Sequence, residues 1–207
     1  MLLEIAVALS VIGLVSGFFI TKSIVANRAI RIQTTKNNIE YVKVALGAYL
    51  ANYNRLPCPA HDSSGKESAS RGGLAEFVGT VPYATLGIPK KCAQDGNAKP
   101  LVYIVEPSLT ANFDSIYEQT IADTEFCRGI ANPSIEIQGV HNLPPNVIAF
   151  VIDTKQPVIA DKIRVTPSAD TSWISRDVFL MRYLKNAPCK REVLHADTNI
   201  ARDEFSF

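Results

Sequence analysis

The side chains in this chain best suited to metal, redox or nucleophilic chemistry are four cysteines, Cys58, Cys92, Cys127 and Cys189, and three histidines, His61, His141 and His195. None of the cysteine spacings is C-x-x-C or a zinc-finger pattern. The histidines lie far apart, each without a second ligand at helical spacing, so each reads as a surface or loop residue. Loop carboxylates such as Asp170 and Asp177 would suit Ca²⁺, which takes oxygen ligands, yet two carboxylates are no coordination set. The chain also has no G-x-S-x-G elbow, phosphate-cradling loop, H-E-x-x-H or dinucleotide fingerprint. The expectation is a protein that is not an enzyme, with no catalytic residue, metal or cofactor. Two uses remain open for the cysteines. In an oxidising compartment they would form bridges, each worth about 2 to 5 kcal/mol to a small domain; otherwise they are buried thiols. Of the three possible pairings, sequence order favours Cys58 with Cys92 and Cys127 with Cys189.

One further residue is chemically out of place. Leu2 to Ile20 reads LLEIAVALSVIGLVSGFFI, and no charge occurs from Ile5 to Thr21. As a helix, roughly 19 residues span about 28 Å, close to the hydrocarbon thickness of a bilayer. The run is longer than the apolar core of a cleaved signal, and no Lys or Arg precedes it. Glu4 sits inside this block. An ionisable group near hydrocarbon depth is expensive, and marks a function unless it reaches the headgroups. The cation that suits it is the free α-amino group of a neighbouring copy. Gly13 and Gly17 have the G-x-x-x-G spacing that lets helices approach closely.

The elements that must position these residues follow from periodicity. Beyond Thr21 the pattern turns amphipathic: Ile39, Val42, Leu46, Tyr49, Leu50 and Tyr53 recur at spacings of three and four, one face of a helix that packs on a globular head. No Pro occurs before Pro57, so one helix of about 53 residues is expected, with a break possible at Gly13 to Gly17 or at Thr34 and Thr35. Strands are expected at Leu101 to Val105, Ser134 to Val140, Val147 to Ile152 and Ile163 to Val165. A short helix or turn is expected near Leu74 to Val78, and another short helix at Phe113 to Ile121. Ser175 to Leu184 is open between helix and strand, and Trp173 reads as a core residue. The fold class is α+β: a long N-terminal helix, its first part transmembrane, packed on an antiparallel sheet. The organisation is 1–21 membrane helix, 22–56 amphipathic continuation and 57–207 head. With 21 Lys plus Arg against 20 Asp plus Glu, the balance of charge calls for no nucleic-acid partner.

The opening block with its Glu resembles the amino-terminal segment of type IV pilins and of the pseudopilins of type II secretion. The resemblance continues through Asn52-Tyr53-Asn54-Arg55-Leu56-Pro57-Cys58-Pro59-Ala60, similar to a pilin helix-to-head junction. It recurs more weakly in Val81 to Pro89, in Asp95-Gly96 and in Leu101-Val102-Tyr103. It implies a structural filament subunit held by a single pass in a bacterial inner membrane, with its head in the periplasm before assembly. The implied partners are other pilin or pseudopilin subunits, met through the helix, and the inner-membrane assembly machinery. Glu4 of one copy would pair with the terminal amine of the next and set register. Members of the family begin as precursors with a short basic leader, so a prepilin peptidase is a further partner if the true start lies upstream of Met1. Lys22, Arg28 and Arg31 follow the apolar block, on the side that positive charge ordinarily assigns to the cytoplasm. The contrasting expectation is a signal-anchored periplasmic enzyme or binding domain, whose first helix is only a tether.

Overall fold

The computed structural model describes residues 2–53, 55–68, 73–110, 130, 132–139, 148–168, 170–175 and 178–179; within the first helix it describes the side chains of 5–7, 9–12 and 26–53. That helix, α1, runs from Leu2 to Tyr53. Thr34 and Thr35 do not interrupt it; each hydroxyl bonds back to a carbonyl one turn earlier, Thr34 Oγ1 to Ile30 O at 2.9 Å and Thr35 Oγ1 to Arg31 O at 3.0 Å. Among the described residues no helix is long and apolar enough to cross a membrane.

The chain has α+β content built on a four-stranded antiparallel sheet. Its strands are β1 (Val78–Thr80), β2 (Val102–Val105), β4 (Ile148–Asp153) and β7 (Ser172–Ser175), in the order β1-β2-β4-β7. The central strands β2 and β4 are buried along their whole length, which is why Val102 to Val105 and Ile148 to Ile152 read as unbroken apolar runs rather than alternating ones. A second, mixed sheet is formed by β3 (Ile135–Ile137), β6 (Ile163–Val165) and β5 (Val158–Ile159), with β3 parallel to β6 and β5 antiparallel to it. The expected strand at Ser134 to Val140 is therefore shorter and lies outside the antiparallel sheet.

The core joins helix and sheet. Ile39, Val42, Leu46 and Leu50 of α1 are buried in one cluster with Tyr103, Ile104, Phe150 and Ile152. Phe150 centres an aromatic chain, 6.1 Å from the Tyr103 ring and edge-on to Phe179 at 5.1 Å. Tyr103 is fully buried, and its hydroxyl donates to Pro57 O at 3.2 Å, so the segment leaving the helix is tied to the sheet. That segment also pairs with β1 through Ala60 and Thr80. Leu74 to Phe77 forms a 3-10 turn leading into β1, a strand that the sequence did not suggest. Trp173 on β7 is half-buried against the core.

Two expectations need correction. Tyr53 does not face the head: it is 61% exposed and leans on the Tyr49 ring, 4.4 Å between centroids, because it lies past the buried edge of the stripe. Cys58 and Cys92 are free thiols, not a bridge. Cys92 lies in the turn Lys90–Ala93, whose Lys91 carbonyl is bonded to Asn38. Cys58 lies by Glu67, which is bonded to Tyr49. Asn38 and Tyr49 stand three helical turns apart, about 16 Å, whereas a bridge needs Cα atoms within about 7 Å. Cys127 and Cys189 lie outside the described residues, as do the expected helix at Phe113 to Ile121, His141, His195, Asp177 and most of Ser175 to Leu184.

Candidate functional site

The described contacts that fasten α1 to the head begin where the helix leaves it. The turn between Lys90 and Pro100 clamps the helix there. Asn38 donates its side-chain amide to Lys91 O (3.1 Å) and Gln94 O (2.7 Å), and Arg31 donates to Asn97 Oδ1 at 2.9 Å. The Gly96 N–H donates to Thr35 Oγ1 at 2.9 Å. Gly96 is required because any Cβ there would collide with the backbone of Arg31. Asp95 shapes the turn, its Oδ1 accepting the Asn97 and Lys99 N–H groups at 2.8 Å each. The Asp-Gly signal was visible in the sequence, and Arg31, Thr35 and Asn38 continue the period of the apolar stripe. Nothing in the sequence marked their part in docking, since a polar side chain at helical spacing carries no sign of the loop carbonyl or N–H that it meets.

On the amino-terminal side of this clamp, every described side chain from Ile5 to Ile30 is exposed, including Ile5, Val7, Leu9, Val11, Ile12 and Ile30. The stretch from Leu2 to Ile30 is 29 residues of helix, roughly 44 Å. Glu4, Gly13 and Gly17 lie on it, and their side-chain surroundings fall outside the described residues.

At the other end of the packed segment the fastening is ionic. Glu67 accepts two parallel hydrogen bonds from Arg55, at 2.8 and 2.9 Å, one from the Tyr49 hydroxyl at 3.0 Å and one from the Cys58 N–H at 3.1 Å; its own N–H donates to Thr85 Oγ1 at 2.8 Å. Arg55 lies over the Tyr49 ring, 5.4 Å from its centroid. Burial pushes the Glu67 carboxyl up, but the Arg55 bonds and charge, with the Cys58 and Tyr49 donors, outweigh it and hold the group below the usual carboxylate range. The same bond raises Arg55, and burial raises Tyr49. Burial also raises the Cys58 thiol, so it is a poor nucleophile at neutral pH. No sequence signal pointed to Glu67, since its partners lie 12 and 18 residues away.

Beside this hub lies an open polar cleft of about 450 Å³, lined by His61, Asp62, Lys66, Glu67, Ser68 and Glu76 among others. His61 Nε2 is 3.0 Å from Glu76 O, and Asp62 is held below its ordinary value first by the Ser64 hydroxyl, which donates to it at 2.6 Å. Among the described residues no cluster of His, Cys, Asp and Glu could hold a metal ion, and Asp170 stands in a turn. Comparison with protein-family models, curated proteins and solved structures found no match.

Proposed function

We propose that this protein is a structural subunit of a pilin-like or pseudopilin filament, anchored in a bacterial inner membrane by residues 2–20, with its head in the periplasm and α1 as its assembly element. The observation that carries this reading is the exposed amino-terminal part of α1. An apolar helix whose described side chains find no cover among the described residues is suited to lipid or another helix. A head fastened to the helix at both ends of the packed segment supports the same reading, since a subunit drawn from lipid into a filament must move as one piece. Glu4 then has the role of register group. Its charge is costly in an apolar setting, and pairing with the terminal amine of the next copy satisfies it.

The test is Glu4→Ala in cells that assemble the filament. The expected product is a folded, membrane-anchored protein whose incorporation falls at least tenfold; normal incorporation would remove this account of Glu4. Mass spectrometry of the mature amino terminus, with and without the prepilin peptidase, checks the processing that this role entails.

The polar cleft at His61 and Glu67 favours one second reading, a tethered periplasmic binding domain or enzyme. A truncated chain beginning near Ala26 separates the two. A binding domain keeps ligand-dependent behaviour without its helix, whereas a filament subunit becomes monomeric and inert.

A further inference from the structure

The segment of α1 from Ala26 to Asn38 and the turn from Lys90 to Pro100 together carry six cations, Arg28, Arg31, Lys36, Lys90, Lys91 and Lys99, against one carboxylate, Asp95. That carboxylate is nearly buried and turned inward onto the N–H groups of its own turn. Arg28, Lys36, Lys90, Lys91 and Lys99 are exposed and have no ion pair with any described residue. Arg31 is bonded to a neutral partner, Asn97, and keeps its charge. Two segments distant in sequence are thus locked into one positive collar by the contact of Gly96 with the Arg31 backbone.

The collar's distance from the apolar block suits one partner. Arg28 lies seven residues beyond Thr21, about 10 Å of helix, and Arg31 about 15 Å. The headgroup layer occupies roughly 5 to 8 Å outside the hydrocarbon, and the Debye length is about 8 Å at physiological salt. Arg28 therefore stands at the edge of the headgroups, and Arg31, with Asn97 bonded to it, within about one screening length of them; Lys90 and Lys91, whose turn is bonded to Asn38, stand about two screening lengths out.

We infer that this collar docks the head onto anionic lipid headgroups of the leaflet through which α1 enters the membrane. The inference rests on the membrane-anchored reading of residues 2–20. Docked in this way, the head is held close to the bilayer until a subunit leaves it, and salt weakens the hold.

The test is amine-reactive footprinting of the full wild-type chain in nanodiscs of phosphatidylcholine alone or with phosphatidylglycerol added, read lysine by lysine by mass spectrometry. Lys66 is the internal reference. It precedes Glu67, which is bonded to Tyr49, a residue about 27 Å along the helix from Arg31. A surface potential of about −30 mV raises a nearby ammonium's proton affinity enough to slow acylation about threefold. At about one screening length that potential has fallen to roughly a third, so Lys99 should slow about 1.5-fold in the anionic discs, Lys91 by less and Lys66 not at all, with the differences abolished in high salt. Equal rates in both lipids overturn the inference. So does protection that follows protein density rather than lipid charge, which would mean a second copy covers the collar. Failure of the chain to enter nanodiscs at all overturns the anchored reading together with it.

Discussion

The two fastenings that hold the head on α1 are built from different physics. The clamp at Arg31 to Asn38 depends on shape: a glycine pressed on helix backbone, flanked by hydrogen bonds to Thr35 and Asn38. The hub at Tyr49 to Arg55 depends on charge: one carboxylate gathering a guanidinium, a phenol and a backbone N–H. The first is intolerant of added volume, and the second of protonation. A long helix fastened at one end only would pivot against the sheet; two fastenings about 27 Å apart along it, from Arg31 to Tyr49, fix its direction relative to the head.

The largest effect is expected at the clamp. In Gly96→Ala the new methyl meets the Arg31 backbone, which cannot rotate aside as a flexible side chain would, so the turn must lift and lose its bonds to α1. Overpacking against a rigid neighbour costs about 3 kcal/mol. Urea unfolding of the full chain in detergent, followed by circular dichroism, checks the figure. A change below about 1 kcal/mol would mean that the turn is not pressed on the helix.

The hub comes next. Glu67→Gln removes the charge that both Arg55 bonds rely on while keeping the shape. The side chains are partly screened, 15% and 25% exposed for Arg55 and Glu67, so the loss should be about 2 kcal/mol rather than the 3 to 5 kcal/mol of a fully buried pair. This loss has a pH signature. The carboxyl is held below its ordinary value in the folded state. Its stabilisation is therefore fully present above the unfolded value, about 4.3, and is lost as pH falls through the lower folded value. The stability difference between wild type and Glu67→Gln should be flat above about pH 5 and shrink toward zero in acid. A difference that does not change with pH would assign the effect to packing.

The comparison also shows what the sequence could reveal. Periodicity located the stripe of Ile39, Val42, Leu46, Tyr49 and Leu50, because burial on one helical face leaves a repeat that composition cannot hide. The runs at β2 and β4 were legible for a related reason, being strands covered on both faces. Tyr53 was misassigned because the period continues for one more residue than the head does. β1, β5 and β7 are partly or wholly exposed, so neither an apolar run nor a clean alternation marks them, and they are held by their neighbours. Glu67 was invisible since an ion pair made across a loop leaves no periodic trace. The Cys58–Cys92 pairing failed on geometry alone: adjacency in order says nothing about position along a helix that both segments touch.

The smallest effect isolates the polar half of the clamp. Thr35→Val keeps the β-branched shape and removes the hydroxyl that accepts from the Gly96 N–H and donates to Arg31 O. Because Thr35 is buried, the Gly96 N–H loses its protein acceptor in a place where water has little access. The cost is about 1 kcal/mol, a fall in Tm of about 2 to 4 °C for a chain of this size. If the two halves of the clamp act as one contact, the double variant Thr35→Val with Gly96→Ala should be no less stable than Gly96→Ala alone, since lifting the turn has already broken the bond. Additive losses would mean that the Gly96 N–H keeps its partner after the turn moves, and that shape and hydrogen bonding hold α1 independently.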